Sequence, residues 1–157
     1  CKLISRKNYT YTRFKAVANN LAKLPDCVLD VELVCLDDEG KTLFHDLMFN
    51  RKTVFLYAFD IMWLEGKDLR DDPLVESKQK LQELCADAPS RLLYVDYIEE
   101  KGEDLYSMIC QRDMEGIVAK PKESPYRMLK GQAPWIKIKN PDYSQAEGRS
   151  ELFNQRH

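Results

Sequence analysis

Thr53-Val54-Phe55-Leu56-Tyr57-Ala58-Phe59-Asp60-Ile61 is the stretch that decides the fold. β-Branched and aromatic residues dominate it. A period of two sends Phe55, Tyr57 and Phe59 to one face and Leu56 and Ala58 to the other. Both faces are largely apolar, so this strand is expected at the centre of a sheet. Upstream, Cys27 to Leu36 is rich in Val and Leu, and Asp37-Asp38-Glu39-Gly40 supplies a turn. That predicts a strand entering a hairpin. Before it, Thr12 is expected to cap a helix running to Lys23, since Phe14, Val17, Ala18 and Leu21 recur at three- and four-residue steps and Pro25 stops it. Downstream, the patterns predict helices over 76–86 and 103–112 and strands over 92–95, 116–120 and 135–139. Strands and helices mixed irregularly, with an early hairpin, indicate an α+β domain rather than a doubly wound one.

A chain of 157 residues, 44% hydrophobic, can bury one sizeable core. We expect one domain over 1–140 and a polar tail over 141–157. No run approaches the roughly 18 apolar residues of a membrane span, and the start has no signal-peptide organisation. A soluble, cytoplasmic protein with no membrane partner is the expectation. The five cysteines form no Cys-x-x-Cys pair, and they read as reduced, buried thiols without a zinc site. Net charge is −2, but its distribution is uneven. Residues 1 to 25 carry only basic charges, 110 to 140 carry a basic excess, and the acidic excess lies between them. Such a pattern suits a phosphate-binding face opposite a solvated one, although charge runs also simply solvate surfaces.

Three stretches could carry chemistry. In Trp135-Ile136-Lys137-Ile138-Lys139, alternation puts Trp135, Lys137 and Lys139 on one face. Two ammonium groups held together there suit an anion such as a polyphosphate, or a wetted strand face. In Glu115-Gly116-Ile117-Val118-Ala119-Lys120 a carboxylate opens an apolar strand. Its burial would need a positive partner, either a lysine or a divalent metal. Glu32 poses the same question within Val28-Leu29-Asp30-Val31-Glu32-Leu33-Val34, where it shares a face with Asp30. A solvated acidic edge explains either glutamate singly. Phe59 could stack on a purine base or fill the core.

Taken in order, these pieces resemble the nucleotidyltransferase domain of ATP-dependent DNA ligases, particularly the ligase module of bacterial end-joining enzymes. Ser5-Arg6-Lys7-Asn8 is similar to the family's Ser-Arg-Asn element. Leu29-Asp30-Val31-Glu32-Leu33-Val34 resembles Leu-Asp-Gly-Glu-Leu-Val, and Tyr57-Ala58-Phe59-Asp60-Ile61 resembles Tyr-x-Phe-Asp-Leu. Residues 115–120 match Glu-Gly-Ile-Val-Ala-Lys, Ser124-Pro125-Tyr126-Arg127 follows, and 135–139 resemble Trp-Leu-Lys-Val-Lys. Several motifs in one order are far more specific than any alone. The resemblance implies an α+β core of antiparallel sheets flanked by helices, of the DNA ligase and mRNA capping type, similar to ATP-grasp and here incomplete. It implies ATP and Mg²⁺ or Mn²⁺ as cofactors and nicked or broken duplex DNA as partner. It assigns nucleotide binding to Arg6, Glu32, Phe59, Lys137 and Lys139, with Arg6 and the two lysines reaching one triphosphate. Metal binding falls to Glu115 and Glu32. Lys7, Lys120 and Arg127 are candidate DNA contacts.

Three departures matter. Val31 replaces the family glycine beside the motif glutamate. No Lys-x-Asp-Gly occurs, because none of the six glycines follows an aspartate. The family's adenylated lysine is therefore absent from this chain, and no catalytic residue is assigned in it. Only 18 residues, 140 to 157, follow Lys139, too few for the OB-fold domain that usually comes next. Since the motif would lie upstream of Cys1, the expectation is a piece of a longer ligase. A non-catalytic nucleotide- or nucleic-acid-binding module and an RNA ligase-type adenylyltransferase are the alternatives.

Overall fold

The computed structural model describes residues 1–40, 42–43, 46–47, 52–128 and 131–145. They fall into two compact units, Cys1–Val95 with Lys122–Arg127, and Asp96–Pro121 with Met128–His157.

In the first unit a short helix α1 (Lys15–Asn20) runs into a 3-10 turn (Leu21–Lys23). Strands β1 (Cys27–Cys35), β2 (Val54–Leu64) and β3 (Lys67–Asp68), helix α2 (Leu74–Ala86) and strand β4 (Leu92–Tyr94) follow. β2 is central, as its two apolar faces predict: β1 and β3 pair with it antiparallel, and β4 pairs with it in parallel after the crossover through α2. One parallel pair thus interrupts the antiparallel sheet. Val54, Leu56 and Ala58 are buried while Phe55, Tyr57 and Phe59 are half-buried, so the alternation is real but the second face is more open than the first. The core packs Leu3, Phe14, Val17 and Leu21 with Leu56, Ala58, Ile61 and Leu81. Each fully buried Leu or Ile contributes roughly 1.5–3 kcal/mol over exposure.

Two expectations are corrected. Thr12 does not cap α1. The residue at that position is Phe14, without a side-chain cap bond, and its carbonyl accepts from Val17 and Ala18 at 3.1 Å each. Burying Phe14 in the core fixes where the helix can start, and tertiary packing overrides the capping preference. The cysteines are all free thiols, but only Cys35 is buried, whereas Cys1 is exposed and Cys27, Cys85 and Cys110 are half-buried. Burial, the largest cause in each case, raises the pKa of Cys27, Cys35 and Cys85, which disfavours the reactive thiolate.

α2 begins two residues before its predicted start. Pro73 occupies the N-cap, and the Leu74 and Val75 N–H groups donate to the carbonyls of Ser124 and Lys122 at 3.0 and 3.1 Å. Backbone from fifty residues away thus satisfies donors that a helix start leaves open. The turn after β1 forms as expected: Asp37 accepts from Glu39 N–H through its side chain at 3.0 Å, and Gly40 has φ +80°. Leu36 bridges Thr42 antiparallel, as a hairpin requires.

The second unit holds α3 (Gly102–Gln111) and a two-stranded antiparallel sheet of β5 (Gly116–Ala119) and β6 (Ile136–Lys139). Tyr143 is buried and Ser144 N–H donates to Asp113 at 2.8 Å, so the chain beyond 140 folds back on this unit as far as residue 145. The remainder of the predicted tail, 146–157, lies outside the described residues.

Candidate functional site

Arg6 and Lys7 sit at the tip of a tight turn, and the motif around them explains why. Ser5 N–H donates to the Tyr9 carbonyl at 2.8 Å, Asn8 N–H to the Ser5 carbonyl at 2.8 Å, and Tyr9 N–H to the Ser5 hydroxyl at 3.1 Å. Asn8 takes φ +62°, a left-handed conformation that asparagine tolerates well. Ile4 and Thr10 close the turn as a β-bridge. Ser5 and Asn8 thus build the loop, and both cations are left exposed.

Glu32 stands directly opposite Tyr57 in the β1–β2 pairing. Beyond it the register breaks: Val31 faces Ala58 but Asp30 faces Asp60, so Phe59 is the extra residue of a β-bulge. A bulge re-aims the side chain it carries and is enriched beside active sites. Phe59 is half-buried, not sealed in the core, and Glu32 is exposed. Val31, which replaces the family glycine, is half-buried and packs against the core, opposite Ala58. The valine side chain is accommodated by the sheet interior.

Behind this strand lies a polar group that sequence reasoning missed. Asp60 is only 1% exposed, and its Oδ1 accepts from the Ser77 hydroxyl at 2.8 Å and from Ile61 N–H at 2.9 Å. Lys78 is buried too. Its ammonium donates to the carbonyls of Val95 at 2.5 Å and Phe59 at 3.5 Å and lies 4.1 Å from the Tyr94 ring centre. The bulged Phe59 backbone is therefore tied to α2. Residues 122–127 dock on the same unit. Ser124 and Lys122 cap α2, Tyr126 N–H donates to the Arg70 carbonyl at 2.9 Å, and Arg127 forks onto Asp71 and reaches Asp68 at 3.5 Å. Arg70 chelates Asp68 as well, at 2.6 to 3.2 Å. These guanidiniums lower both carboxylates, Asp68 well below the usual range and chiefly through Arg70, Asp71 chiefly through Arg127. Arg127, expected as a DNA contact, is engaged within the protein.

In the second unit Glu115 precedes Gly116, whose φ is +147°. A Cβ there would strike the Ile138 carbonyl oxygen and lie 2.9 Å from Lys139 Cα. The glycine of Glu-Gly-Ile-Val-Ala-Lys is what lets β6 approach β5. Glu115 itself is exposed. Its supposed burial, which would have demanded a positive partner, is not found, because Glu115 precedes the strand. Its carbonyl accepts from Asn140 N–H at 2.8 Å, and Asn140 Nδ2 donates to the Met114 carbonyl at 3.0 Å. Lys137 lies opposite Val118 and Lys139 opposite Gly116, both exposed and on one face as alternation predicts. The Lys120 ammonium is 4.0 Å from the Trp135 ring centre, a cation–π pair joining the ends of the two strands.

No cluster of three or more His, Cys, Asp or Glu suited to a metal is present among the described residues. A cleft of about 600 Å³ in the first unit is lined by Arg13, Phe14, Leu36, Lys52 and Arg91 among others and contains none of the predicted site residues. Arg13 there donates to the Leu47 carbonyl at 2.6 Å.

Comparison with known proteins adds an independent finding. Residues 1–139 match the family model described as ATP dependent DNA ligase domain. The chain is 33% identical over 131 residues to the multifunctional non-homologous end joining protein LigD of Mycolicibacterium smegmatis, covering 82% of this chain and 17% of that protein. It is 35% identical over 125 residues to a DNA ligase of Natronomonas pharaonis, covering 71% of this chain and 23% of the ligase. Among solved structures, the ligase domain of LigD from M. tuberculosis aligns with a TM-score of 0.69 at 29% identity, covering 88% of this chain and 46% of that one. A mycobacterial DNA ligase D complexed with ATP and MES aligns with a TM-score of 0.68 at 31% identity, covering 88% and 47%. The chain spans less than half the length of each of these proteins. With the motif order, the bulged Phe59 and the Glu-Gly strand pair in place, the chain belongs to the ATP-dependent DNA ligase domain family.

Proposed function

We propose that this chain supplies part of the nucleotide-binding core of an ATP-dependent DNA ligase that seals nicked or broken duplex DNA in repair or recombination, in the cytoplasm. Residues 1–140 act as its partial nucleotidyltransferase domain. The observation that carries the proposal is Phe59, an aromatic on a β-bulge one strand away from the motif glutamate Glu32. A ring left half-open on a rigid central strand suits stacking against adenine.

In this reading Phe59 stacks on the base, Glu32 accepts from the ribose or helps hold a metal, and Arg6 pairs with phosphate. Lys137 and Lys139 offset the charge of the triphosphate. The assignment follows the order of the motifs along the chain. Glu115 and Glu32 each offer a single carboxylate, which fits Mg²⁺ or Mn²⁺, ions that keep waters and substrate phosphates among their ligands. Such an ion, when bound, neutralises phosphate charge. The protein's own part is orientation and electrostatic complementarity. Attack on the ATP α-phosphorus requires an activated lysine, and this chain holds no Lys-x-Asp-Gly. Lys7 is the simpler DNA contact, since Arg127 would have to leave two aspartates, and Lys120 the Trp135 ring, to reach a phosphate. The missing motif also favours a second reading, a nucleotide-binding module without chemistry, and the gene sequence upstream of Cys1 separates the two.

The test is titration of the chain with ATP, and of Phe59→Ala beside it. Base stacking contributes roughly 1–3 kcal/mol, so affinity should drop at least fivefold. Equal affinities with the fold intact would remove Phe59 from the base.

A further inference from the structure

The turn that carries Arg6 and Lys7 also presents two tyrosines. Tyr11 N–H donates to the Leu3 carbonyl at 2.9 Å and Ser5 N–H to the Tyr9 carbonyl at 2.8 Å, on either side of the Ile4–Thr10 bridge. Backbone paired in this way alternates its side chains, so Tyr9 and Tyr11 project to one face. Their Cα atoms are roughly 6.6 Å apart at about 3.3 Å per residue, close to two base steps of about 3.4 Å. Tyr9 is 64% and Tyr11 40% exposed. Tyr11 meets the buried Phe14 edge-on, with ring centres 6.0 Å apart, and the Arg13 guanidinium lies 4.7 Å from the Phe14 ring centre. Phe14 and Arg13 also line the cleft of about 600 Å³, where Lys52 and Arg91 join them. The aromatic strip thus leads into a cleft bearing three cations.

Charge separates the occupants that such a surface could take. Residues 1–25 carry six basic side chains, all exposed, and no carboxylate. The cleft adds Lys52 and half-buried Arg91 against Asp38, with Asp46 3.8 Å from the Lys52 ammonium. The excess is positive, which selects a polyanion. Exposed rings gain little from a duplex, whose base faces are already stacked, whereas an unpaired strand offers every base to them. The cleft also stands apart from the residues proposed for ATP: it meets β2 at Val54, five residues from Phe59 and so roughly 16 Å along the strand. We propose that the tyrosine face and the cleft bind an unpaired DNA strand, with bases stacked on Tyr9 and Tyr11 and phosphates on Arg13, Lys52 and Arg91. That this strand is an overhang of the broken duplex rests on the ligase reading above, while the preference for unpaired DNA does not.

The experiment measures binding of the 157-residue chain to a fluorescent single-stranded oligothymidylate and to a blunt duplex of equal length, by anisotropy over a range of salt. The single strand should bind roughly fivefold more tightly or better. Tyr9→Ala should weaken single-strand binding by about fivefold or more and duplex binding by less than about twofold. Tyr9→Phe keeps the ring and should stay within about twofold of the unsubstituted chain. Arg91→Gln should lower the slope of log affinity against log salt by about 0.7, the share of one phosphate contact on a single strand. Tyr9→Ala should leave that slope unchanged. No binding, equal affinity for strand and duplex, a silent Tyr9→Ala, or an unchanged slope in Arg91→Gln would each overturn the proposal. Should Arg91→Gln not fold, Lys52→Gln decides the slope in its place. Sedimentation tests a second copy as the occupant: self-association that Tyr9→Ala abolishes, with strand binding unchanged, overturns the proposal. Strand preference without ATP binding would fail the nucleotide reading alone, and ATP binding without strand preference would fail this proposal alone.

Discussion

Gly116 on β5 faces Lys139 on β6 at a point where the strands are too close for any side chain on the glycine. Its backbone also has a positive φ that disfavours other residues. Gly116→Ala therefore meets two penalties, a collision with backbone that cannot swing aside and a strained dihedral. We expect a loss of roughly 3 kcal/mol, read by urea unfolding with Trp63→Phe present so that Trp135 alone reports. A loss below about 1 kcal/mol would mean that β6 shifts freely.

The segment bearing Tyr126 is fastened by Arg127 to Asp71 and Asp68, and this clasp should weaken in acid. Both carboxylates titrate below their ordinary 3.8 in the folded chain. The unfolded chain therefore binds protons first as pH falls. The contribution of the clasp is full above the ordinary carboxylate range and is lost as pH drops through the lowered folded values. Arg127→Gln should show a lower urea midpoint than the parent at pH 6, with the gap closing below about pH 4. The groups are exposed, so the gap should be small and should also narrow in 1 M salt, where the screening length is about 3 Å. A gap of the same size at pH 2.5 would assign the effect to packing of the arginine stem.

Lys120 and Trp135 close the ends of β5 and β6 through a cation–π contact. Lys120→Met keeps length and bulk but removes the charge. The expected cost is about 0.5–1 kcal/mol, with a shift in Trp135 emission. Unaltered emission and stability would show the contact to be incidental.

The strands were legible because their alternation is a local property: Leu56 and Ala58 face the core and Tyr57 faces out as period two dictates. The bulge at Phe59 was not. It depends on how β1 registers against β2, and nothing in Tyr57-Ala58-Phe59 alone shows that Asp30 will pair with Asp60. The burial of Lys78 was hidden for a similar reason, since its partners are carbonyls at Phe59 and Val95 and a lysine on a helix ordinarily points to water. Thr12 misled because capping preference is worth about 1 kcal/mol, less than the burial of Phe14. Arg6 and Lys7 were found by motif, and the turn that exposes them depends on the Ser5 hydroxyl and the left-handed Asn8.

The chain incubated with labelled ATP and Mg²⁺ should form no acid-labile, lysine-linked adenylate, since no Lys-x-Asp-Gly is present. A labelled band near 18.4 kDa would show that another lysine can serve as nucleophile.

Lys137 separates a structural role from a functional one most cleanly. It is exposed, it sits in the middle of β6 opposite Val118, and its neighbours in the strand, Ile136 and Ile138, are exposed as well. Truncating it removes no core contact, so Lys137→Ala should leave the urea midpoint within about 0.5 kcal/mol of the parent. If the lysine offsets triphosphate charge and the chain is part of a longer ligase, as proposed, the same substitution in that ligase should slow formation of the enzyme–adenylate. The interaction lost would be a charge-assisted contact, worth roughly 1.5–3 kcal/mol, or a factor of about ten to a hundred in kcat/KM. Salt offers a control, because a lost phosphate contact should also flatten the dependence of ATP affinity on ionic strength. Slowed adenylation with an unchanged salt dependence would point to altered strand geometry, and unchanged adenylation would return Lys137 to the solvated face of a two-stranded sheet.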